Sequence, residues 1–287
     1  MKDALERAQT ASNIDTRSVL AGDESGWYLY GITRAGAPAT APPVADGESV
    51  QLLESGDLAA IVRRVPLAEF GAEPLRAHLH DPAWVEAMVR SHNEVIAAVH
   101  QEQAILPAKF GCVYVRAEDL TTALEQAHEA LITGLEQLEG CDEWGIHIYA
   151  DRPTIQRRLI AEHPTVLRLQ QDVTSARPGR AYFLQRKLAD ELAAATEQAV
   201  SELARAAYER LVPWAVASQV NPPARPAHNA SAETEILRAA FLVLRETADR
   251  FLSEVRAFGE GQEGLRCAYS GPWPPYSFAT LADGEPR

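Results

Sequence analysis

The glycines between positions 259 and 264 form a G-x-G-x-x-G pattern, which cradles a pyrophosphate in dinucleotide-binding proteins. That chemistry needs the glycines after a strand and at the start of a helix, so that helix N–H groups face the phosphates. Here a helical pattern precedes the glycines and a strand pattern follows, and Glu260 and Glu263 would repel a phosphate. We therefore interpret the segment as a helix-to-strand turn and expect no cofactor.

Histidines at positions 78, 80, 92 and 100 are candidate metal ligands. Imidazole nitrogens can hold zinc or iron, and Asp81 directly follows His80. The sequence has no HExxH pattern or Cys/His cluster that would complete the ligand set. We therefore predict exposed loop and helix-surface histidines and no metal site, and we keep a metal-dependent enzyme that uses His78 and His80 as a weaker alternative.

Two further residue types could support catalysis. His92 lies on the apolar stripe of a helical pattern between Met88 and Val95, which predicts a half-buried histidine that is hydrogen-bonded within the structure. Cys112 follows Gly111 in a strand pattern and is expected to be a small buried apolar side chain. The sequence contains no G-x-S-x-G, no Walker A and no paired-carboxylate pattern, which leaves catalysis without a candidate residue but does not by itself exclude an enzyme.

Prolines and aromatic residues alternate near the end of the chain, in the stretch GPWPPYSF at 271–278. Prolines cannot donate to a β-ladder and hold the chain extended, so the rings project at fixed positions. The interpretation that the sequence favours is that the rings fold back and seal the protein's own core. The other is a preorganised apolar patch for a partner protein, because Trp and Tyr are preferred interface anchors. In that case the partner-binding residues are Trp273, Pro274, Pro275, Tyr276 and Phe278.

Composition restricts the class of partner and the compartment. The 287-residue chain carries a net charge of −13, which argues against nucleic acid and anionic membranes, since both need clustered Lys and Arg. The sequence has no run of about 18 apolar residues that could span a membrane. Residues 1–25 carry charges throughout, unlike a secretory signal, and we interpret them as a flexible leader. Three widely spaced cysteines fit no disulfide framework, which predicts a reduced, cytoplasmic protein.

Periodicity predicts two α+β domains with a boundary near residue 140: an N-terminal domain at 26–140, a C-terminal domain at 141–279 and a tail at 280–287. In the N-terminal domain we expect strands at 26–32, 50–55 and 57–66, a loop at 36–47, a helix that begins at Asp81-Pro82, a strand at 104–115 interrupted at Pro107, and one helix at 117–138.

The C-terminal domain shows the element order β-α-β-β-α-β, which is the split βαβ or ferredoxin-like arrangement. Its predicted elements are strands at 143–150, 211–220, 235–245 and 265–271, helical segments at 152–173, a long helix at 179–210, a loop at 221–232 and a helix at 246–258. The N-terminal domain follows a modified version of the same order with an extra hairpin. The predicted fold class is therefore α+β, with a modified ferredoxin-like domain followed by a ferredoxin-like one that carries a long helix.

Several stretches together resemble the gas vesicle accessory proteins of the GvpL/GvpF family, over roughly residues 27 to 279. The most specific stretch is GPWPPYSF. Its occurrence together with ILPAKFG and with His92-Asn93 of the first long helix, at these separations, makes coincidence implausible. The stretches are YLYGI (28–32), VPLAEF (65–70), HNEVI (92–96) after Trp84, ILPAKFG (105–111), GRAYFLQRK (179–187) and GPWPPYSF.

This resemblance implies a two-domain α+β protein with a non-enzymatic role in forming gas vesicles, the hollow protein shells that give cells buoyancy. It implies binding to the small hydrophobic shell protein GvpA, protection of GvpA from aggregation during nucleation, and retention as a minor vesicle component. Other gas vesicle accessory proteins are further implied partners, and the gas vesicle is the implied location. The resemblance is to GvpF-like members, does not separate a GvpF role from a GvpL role, and transfers no catalytic residues.

One rival function remains open besides the metal-dependent enzyme. A small-molecule-binding regulatory protein is compatible with a pair of ferredoxin-like domains. A stoichiometric ligand on the purified protein would favour that rival.

Overall fold

The computed structural model describes residues 25–36, 49–222 and 233–279. The predicted leader at 1–25 lies outside these ranges except for its last residue, as do the predicted tail at 280–287 and most of the predicted loops at 36–47 and 221–232. The described chain divides into two compact units: the first runs to Glu143 and resumes at Pro272, and the second runs from Trp144 to Gly271. The domain limits drawn from the sequence stay a prediction beside this division.

The first unit contains an antiparallel sheet. Because β4 and β5 pair with successive parts of β1, the sheet has the order β2-β3-β1-β4 with β5 beside the start of β1. Gly56, with a φ of 63°, forms the tight turn between the two hairpin strands. The strands are β1 (Ser25–Arg34), β2 (Gln51–Ser55), β3 (Leu58–Pro66), β4 (Leu106–Pro107) and β5 (Val113–Tyr114).

Helices α1 (Leu67–Phe70), α2 (Ala72–His78), α3 (Pro82–Glu102), α4 (Ala117–Gln126) and α5 (His128–Leu138) complete the first unit. Helix α3 begins where the sequence predicts, because the Asp81 carboxylate accepts hydrogen bonds from the backbone N–H groups of Ala83 and Trp84. Its apolar face packs on the sheet. The core between them contains Val95, Ile96 and Val99 of the helix together with Tyr28, Tyr30, Ile61 and Ile105.

Two predictions for the first unit were wrong in detail. The strand expected at 104–115 is two short strands, because Pro107 has no N–H for the ladder and Gly111, at a φ of 79°, turns the chain. The helix expected at 117–138 is broken at Ala127, whose backbone leaves helical values. Its apolar stripe runs through the break, with Leu124 and Leu131 buried on either side, so periodicity could not show the break.

The second unit contains a sheet with the order β7-β8-β6-β9. In chain order this is second, third, first and fourth strand, and the sheet of the first unit follows the same order. Its strands and helices are β6 (Cys141–Asp151), α6 (Arg152–Glu162), α7 (Pro164–Ser175), α8 (Pro178–Leu211), β7 (Ala217–Asn221), β8 (Glu233–Leu244), α9 (Ala248–Glu260) and β9 (Leu265–Trp273). The element order predicted for this part of the chain is confirmed.

One strand of the second unit starts later than expected. The sequence predicts a strand at 211–220, but residues Val212–Trp214 form a 3-10 turn and β7 begins only at Ala217. Pro213 explains the difference, because it lacks a ladder donor and suits the first turn of a helix.

The core of the second unit lies between its sheet and helices α8 and α9. Its largest members are Trp144, Phe241, Phe251 and Phe258. At the end of α9, Gly259 lies in the last turn and Gly264, with a φ of 81°, precedes β9. The G-x-G-x-x-G segment therefore follows a helix and enters a strand, as predicted. Among the described helices, none combines the length and the apolar character needed to cross a bilayer.

Candidate partner-binding site

The segment 273–279 leaves strand β9 and folds into a compact turn. Trp273 is the last residue of β9, and the prolines that follow it are buried. The backbone N–H of Tyr276 donates to the carbonyl of Pro274 at 2.8 Å, and that of Phe278 donates to the carbonyl of Pro275 at 3.1 Å. The prolines thus supply acceptors to a turn that they restrict at the same time.

The aromatic residues of this segment divide between core and surface. Phe278 is only 2% exposed, whereas Trp273 is 51% exposed and Tyr276 is 37% exposed. The surface available to a partner therefore belongs to Trp273 and Tyr276, and the buried Pro274, Pro275 and Phe278 hold the turn in place. A partner-binding role for the five predicted residues stays a prediction.

A half-buried carboxylate fixes the turn. The backbone N–H and the hydroxyl of Ser277 donate to the two carboxylate oxygens of Glu143 at 2.7 and 2.6 Å. Burial raises the pKa of Glu143, and the two hydrogen bonds from Ser277 oppose that rise. Sequence reasoning missed Glu143, since a carboxylate more than 130 positions away carries no local signal for this contact.

The Tyr276 ring lies beside a shallow surface groove along α3. Its hydroxyl donates to Oδ1 of Asn93 at 2.9 Å, and burial together with the nearby Glu143 raises the pKa of Tyr276 to about 12. The groove is lined by Glu86, Val89, Arg90, Asn93, Glu94 and Ala97. A half-exposed tyrosine beside a groove that combines apolar, polar and charged side chains is a surface suited to a protein partner.

Within the first unit, His92 connects two of the stretches that resemble the family, YLYGI (28–32) and ILPAKFG (105–111). The Tyr28 hydroxyl accepts a hydrogen bond from the N–H of Gly111 at 3.3 Å and donates to Nδ1 of His92 at 3.0 Å. The proton of His92 is then on Nε2, which donates to the carbonyl of Ala108 at 3.3 Å. The neutral imidazole therefore adds a link between β1 and residues 108–111, which are also bonded to β1 directly through the N–H of Ala108 and the carbonyl of Tyr30 at 2.9 Å.

Aromatic rings surround His92. It stacks on Tyr30 with a centroid distance of 5.5 Å and meets Phe110 edge-on at 5.9 Å. This burial lowers the pKa of His92 to about 4. The hydrogen bonds to the protein's own groups match the structural role predicted for this residue, but His92 is fully buried and not half-buried as predicted.

The remaining candidates for chemistry do not come together. His80 is exposed as predicted, and the ring of His78 stacks on Trp84. The prediction of an exposed helix-surface histidine was wrong for His100, which is buried near the end of α3 and pairs with Asp142 at 2.8 Å. In the ranges that the structure covers, no three His, Cys, Asp or Glu side chains form a group that could hold a metal. Cys112 is buried as predicted, and burial raises its pKa to about 11.

Sequence reasoning also missed two exposed rings in the stretch GRAYFLQRK. Tyr182 and Phe183 lie in the first turns of α8 and are 64% and 71% exposed. Their exposure could have been predicted from the sequence, because both adjacent rings lie off the apolar stripe of the helix.

Comparison with known proteins extends the motif evidence to the whole chain. A family model described as gas vesicle synthesis protein GvpL/GvpF matches residues 26–280. The chain belongs to the GvpL/GvpF family. The resemblance inferred from the motifs is confirmed, and with it a role connected with gas vesicles.

Relatives of both named kinds match nearly the full chain. Gas vesicle protein L of Streptomyces sp. (strain CB03234) is 31% identical over 260 residues, which cover 90% of this chain and 94% of the relative. Gas vesicle protein F of the same strain is 27% identical over 256 residues, which cover 88% of this chain and 98% of the relative.

Crystal structures of GvpF proteins have a similar fold. The match to GvpF from Anabaena sp. PCC7120 has a TM-score of 0.68 at 20% identity and covers 89% of this chain and 98% of that chain. For GvpF from Microcystis aeruginosa the TM-score is 0.61 at 18% identity, with coverage of 89% and 99%. The predicted α+β class with two ferredoxin-like sheets is confirmed.

Proposed function

We propose that this protein is an accessory protein of gas vesicle assembly that binds the small hydrophobic shell protein GvpA and prevents its aggregation during nucleation. The observation that supports the proposal most is the match of the GvpL/GvpF family model to residues 26–280. We further propose that some copies remain on the vesicle as a minor component, and that the role requires no catalytic residue.

Charge and surface chemistry are compatible with this role. A net charge of −13 keeps a complex with an apolar partner dispersed, because like-charged complexes repel one another. The apolar contact that we propose is the exposed face of Trp273 and Tyr276, extended by the groove along α3. Aromatic anchors that are already fixed by a turn lose little entropy on binding.

Sheet edges offer a second mode of contact for the same partner. In the second unit β7 and β9 are the edge strands, and Trp273 ends β9. An extended segment of a partner can add to such an edge through backbone hydrogen bonds while side chains supply specificity.

Two assays test the proposed function. Tagged protein is co-expressed with the shell protein of the same gene cluster and captured, and shell protein diluted from denaturant is followed by light scattering with and without the purified chain. We expect capture of the shell protein and a delayed rise in scattering at equimolar ratio. A tagged acidic protein of similar size serves as the control. Absence of both capture and delay would refute the function.

A further inference from the structure

The first half of helix α8 is exposed around most of its circumference. All the buried residues of α8 lie at or beyond Ala195. Among described residues, Phe183 and Tyr182 are the most exposed of the large apolar side chains, and their rings contact each other edge to face at 5.7 Å. Two aromatic rings left in water on a regular helix indicate a surface that another molecule covers.

One exposed stripe of this helix repeats at alternating steps of four and three residues. This is the spacing of a helix face that packs along a partner helix. Every position of the stripe is exposed in the isolated chain. Its residues are Gly179, Phe183, Arg186, Asp190, Ala193 and Glu197.

The stripe is complementary to itself when read in reverse. In a two-fold antiparallel pair of identical helices, residues at equal distances before and after the axis meet. With the axis level with residue 188, the large ring of Phe183 meets the small Ala193 of the other copy. Arg186 meets Asp190 of the other copy, and the symmetry forms that ion pair twice.

The flanking positions follow the same rule. Tyr182 is paired with the exposed Ala194, so both rings of one copy face alanines of the other. Gly179 is paired with Glu197, whose carboxylate is already engaged by Arg152 at 3.0 Å and does not need a partner from the other copy. Large residues therefore face small ones, and no like charges meet within the overlap.

The charge of this segment supports a second copy as the occupant. Two chains of net charge −13 repel each other, so self-association needs a local surface of opposite sign. Residues 173–189 supply it, with Arg177, Arg180, Arg186 and Lys187 and no acidic residue, and acidic residues begin at Asp190. Within the stripe itself, the basic Arg186 precedes the acidic Asp190, which is the order that an antiparallel pair requires.

We propose that the protein forms a symmetric dimer through antiparallel pairing of the first halves of two α8 helices. The overlap spans about 20 residues, or about 30 Å of helix, which fits a dimer that dissociates on dilution and does not fit an obligate one. The dimer does not depend on GvpA binding, so either proposal can fail alone.

A mixing experiment with two charge variants tests the pairing. R186E and D190R each place like charges opposite one another in a homodimer, but an equimolar mixture restores opposite charges in both pairs. The mass of the wild type, of each variant and of the mixture is measured by analytical ultracentrifugation over a wide concentration range. We expect the wild type to rise from 31.3 kDa towards twice that mass. Each variant alone should dissociate at least about tenfold more readily, and the mixture should recover the wild-type behaviour.

The mixture separates the dimer contact from effects within one helix, because Arg186 and Asp190 are also one turn apart in each chain. R205E is the matched control, since Arg205 is exposed on the same helix but lies beyond the overlap. It should associate like the wild type, and circular dichroism should show equal helicity for all variants. A wild type that stays monomeric at every concentration, or a mixture no more associated than its components, would overturn the proposal.

Discussion

The Tyr28 hydroxyl lies 3.0 Å from Nδ1 of His92, in a position that only a neutral imidazole can accept. The hydroxyl also receives the N–H of Gly111, so its own proton is directed at the histidine. A doubly protonated ring would carry a proton on Nδ1, which would meet the Tyr28 O–H donor, and it would lose the hydrogen bond from that hydroxyl that joins β1 to α3. Protonation of this one buried side chain is therefore coupled to the packing of the first unit.

The pH dependence of stability follows from this coupling. The pKa of His92 falls from 6.5 to about 4 on folding, so between these values the unfolded chain binds the proton more readily. Stability from this group is full above pH 6.5 and is lost as the pH falls through the window towards 4, by up to about 3 kcal/mol. Urea unfolding at several pH values should show this decline. In His92→Gln, which cannot ionise, the decline should be smaller by that amount, and an equal decline would contradict the coupling.

The C-terminal turn gives opposite expectations for its two rings. Phe278→Ala removes a buried ring and should lower the free energy of unfolding by about 3 to 5 kcal/mol. Trp273→Ala removes a ring that is half exposed and should change the free energy of unfolding by less than about 1 kcal/mol. Chemical denaturation of both variants measures the difference. A Trp273 variant as unstable as the Phe278 variant would place that ring in the core as well.

Loss of the contact between Glu143 and Ser277 should lower the free energy of unfolding by less than loss of the Phe278 ring. Ser277→Ala leaves one carboxylate oxygen of the half-buried Glu143 without its hydroxyl donor, which should lower the free energy of unfolding by about 1 kcal/mol. Glu139→Ala removes an exposed carboxylate nearby in the sequence and should have almost no effect. Thermal unfolding of the two variants tests the claim, and equal melting temperatures would show that the contact does not hold the turn.

Two glycines give a matched pair of tests for close packing. A Cβ at Gly31 would lie 2.8 Å from the carbonyl oxygen of Leu106 and 2.8 Å from Cδ1 of Ile105, so Gly31→Ala should destabilise the first unit by about 1 to 3 kcal/mol. A Cβ at Gly179 meets nothing within 4 Å, and there alanine should be neutral or stabilise the helix. Equal stabilities of the two variants would contradict the observed packing of β4 on β1.

Local sequence signals predicted most of the elements because each depended on neighbours in the chain. Asp81-Pro82 marked the start of α3 since a cap acts within three residues, and the β-branched and aromatic run at 26–32 marked β1. The break at Ala127 could not be predicted, because the apolar stripe continues through it. The pairing of β4 and β5 with β1 was also beyond reach, since two-residue strands leave no period to detect.

The site was predictable only in part, because contacts between residues far apart in the chain leave no local signal in the sequence. The rigidity of GPWPPYSF followed from its prolines, but which ring would be buried depended on distant residues. Tyr276 reaches Asn93 and Ser277 reaches Glu143, both contacts spanning more than 130 positions. The exposure of Phe183 was not predicted either, because its stretch GRAYFLQRK contributed only to the resemblance to the family.

Capture of the shell protein by Trp273→Ala tests the central proposal most directly. The ratio of GvpA to tagged chain is measured after co-expression for the wild type, for Trp273→Ala and for Phe183→Ala, which removes a similarly exposed ring elsewhere. We expect the wild type and Phe183→Ala to capture equal amounts, and folded Trp273→Ala to bind at least about tenfold more weakly. Equal capture by all three would contradict Trp273 as the contact, and no capture by the wild type would contradict GvpA binding itself.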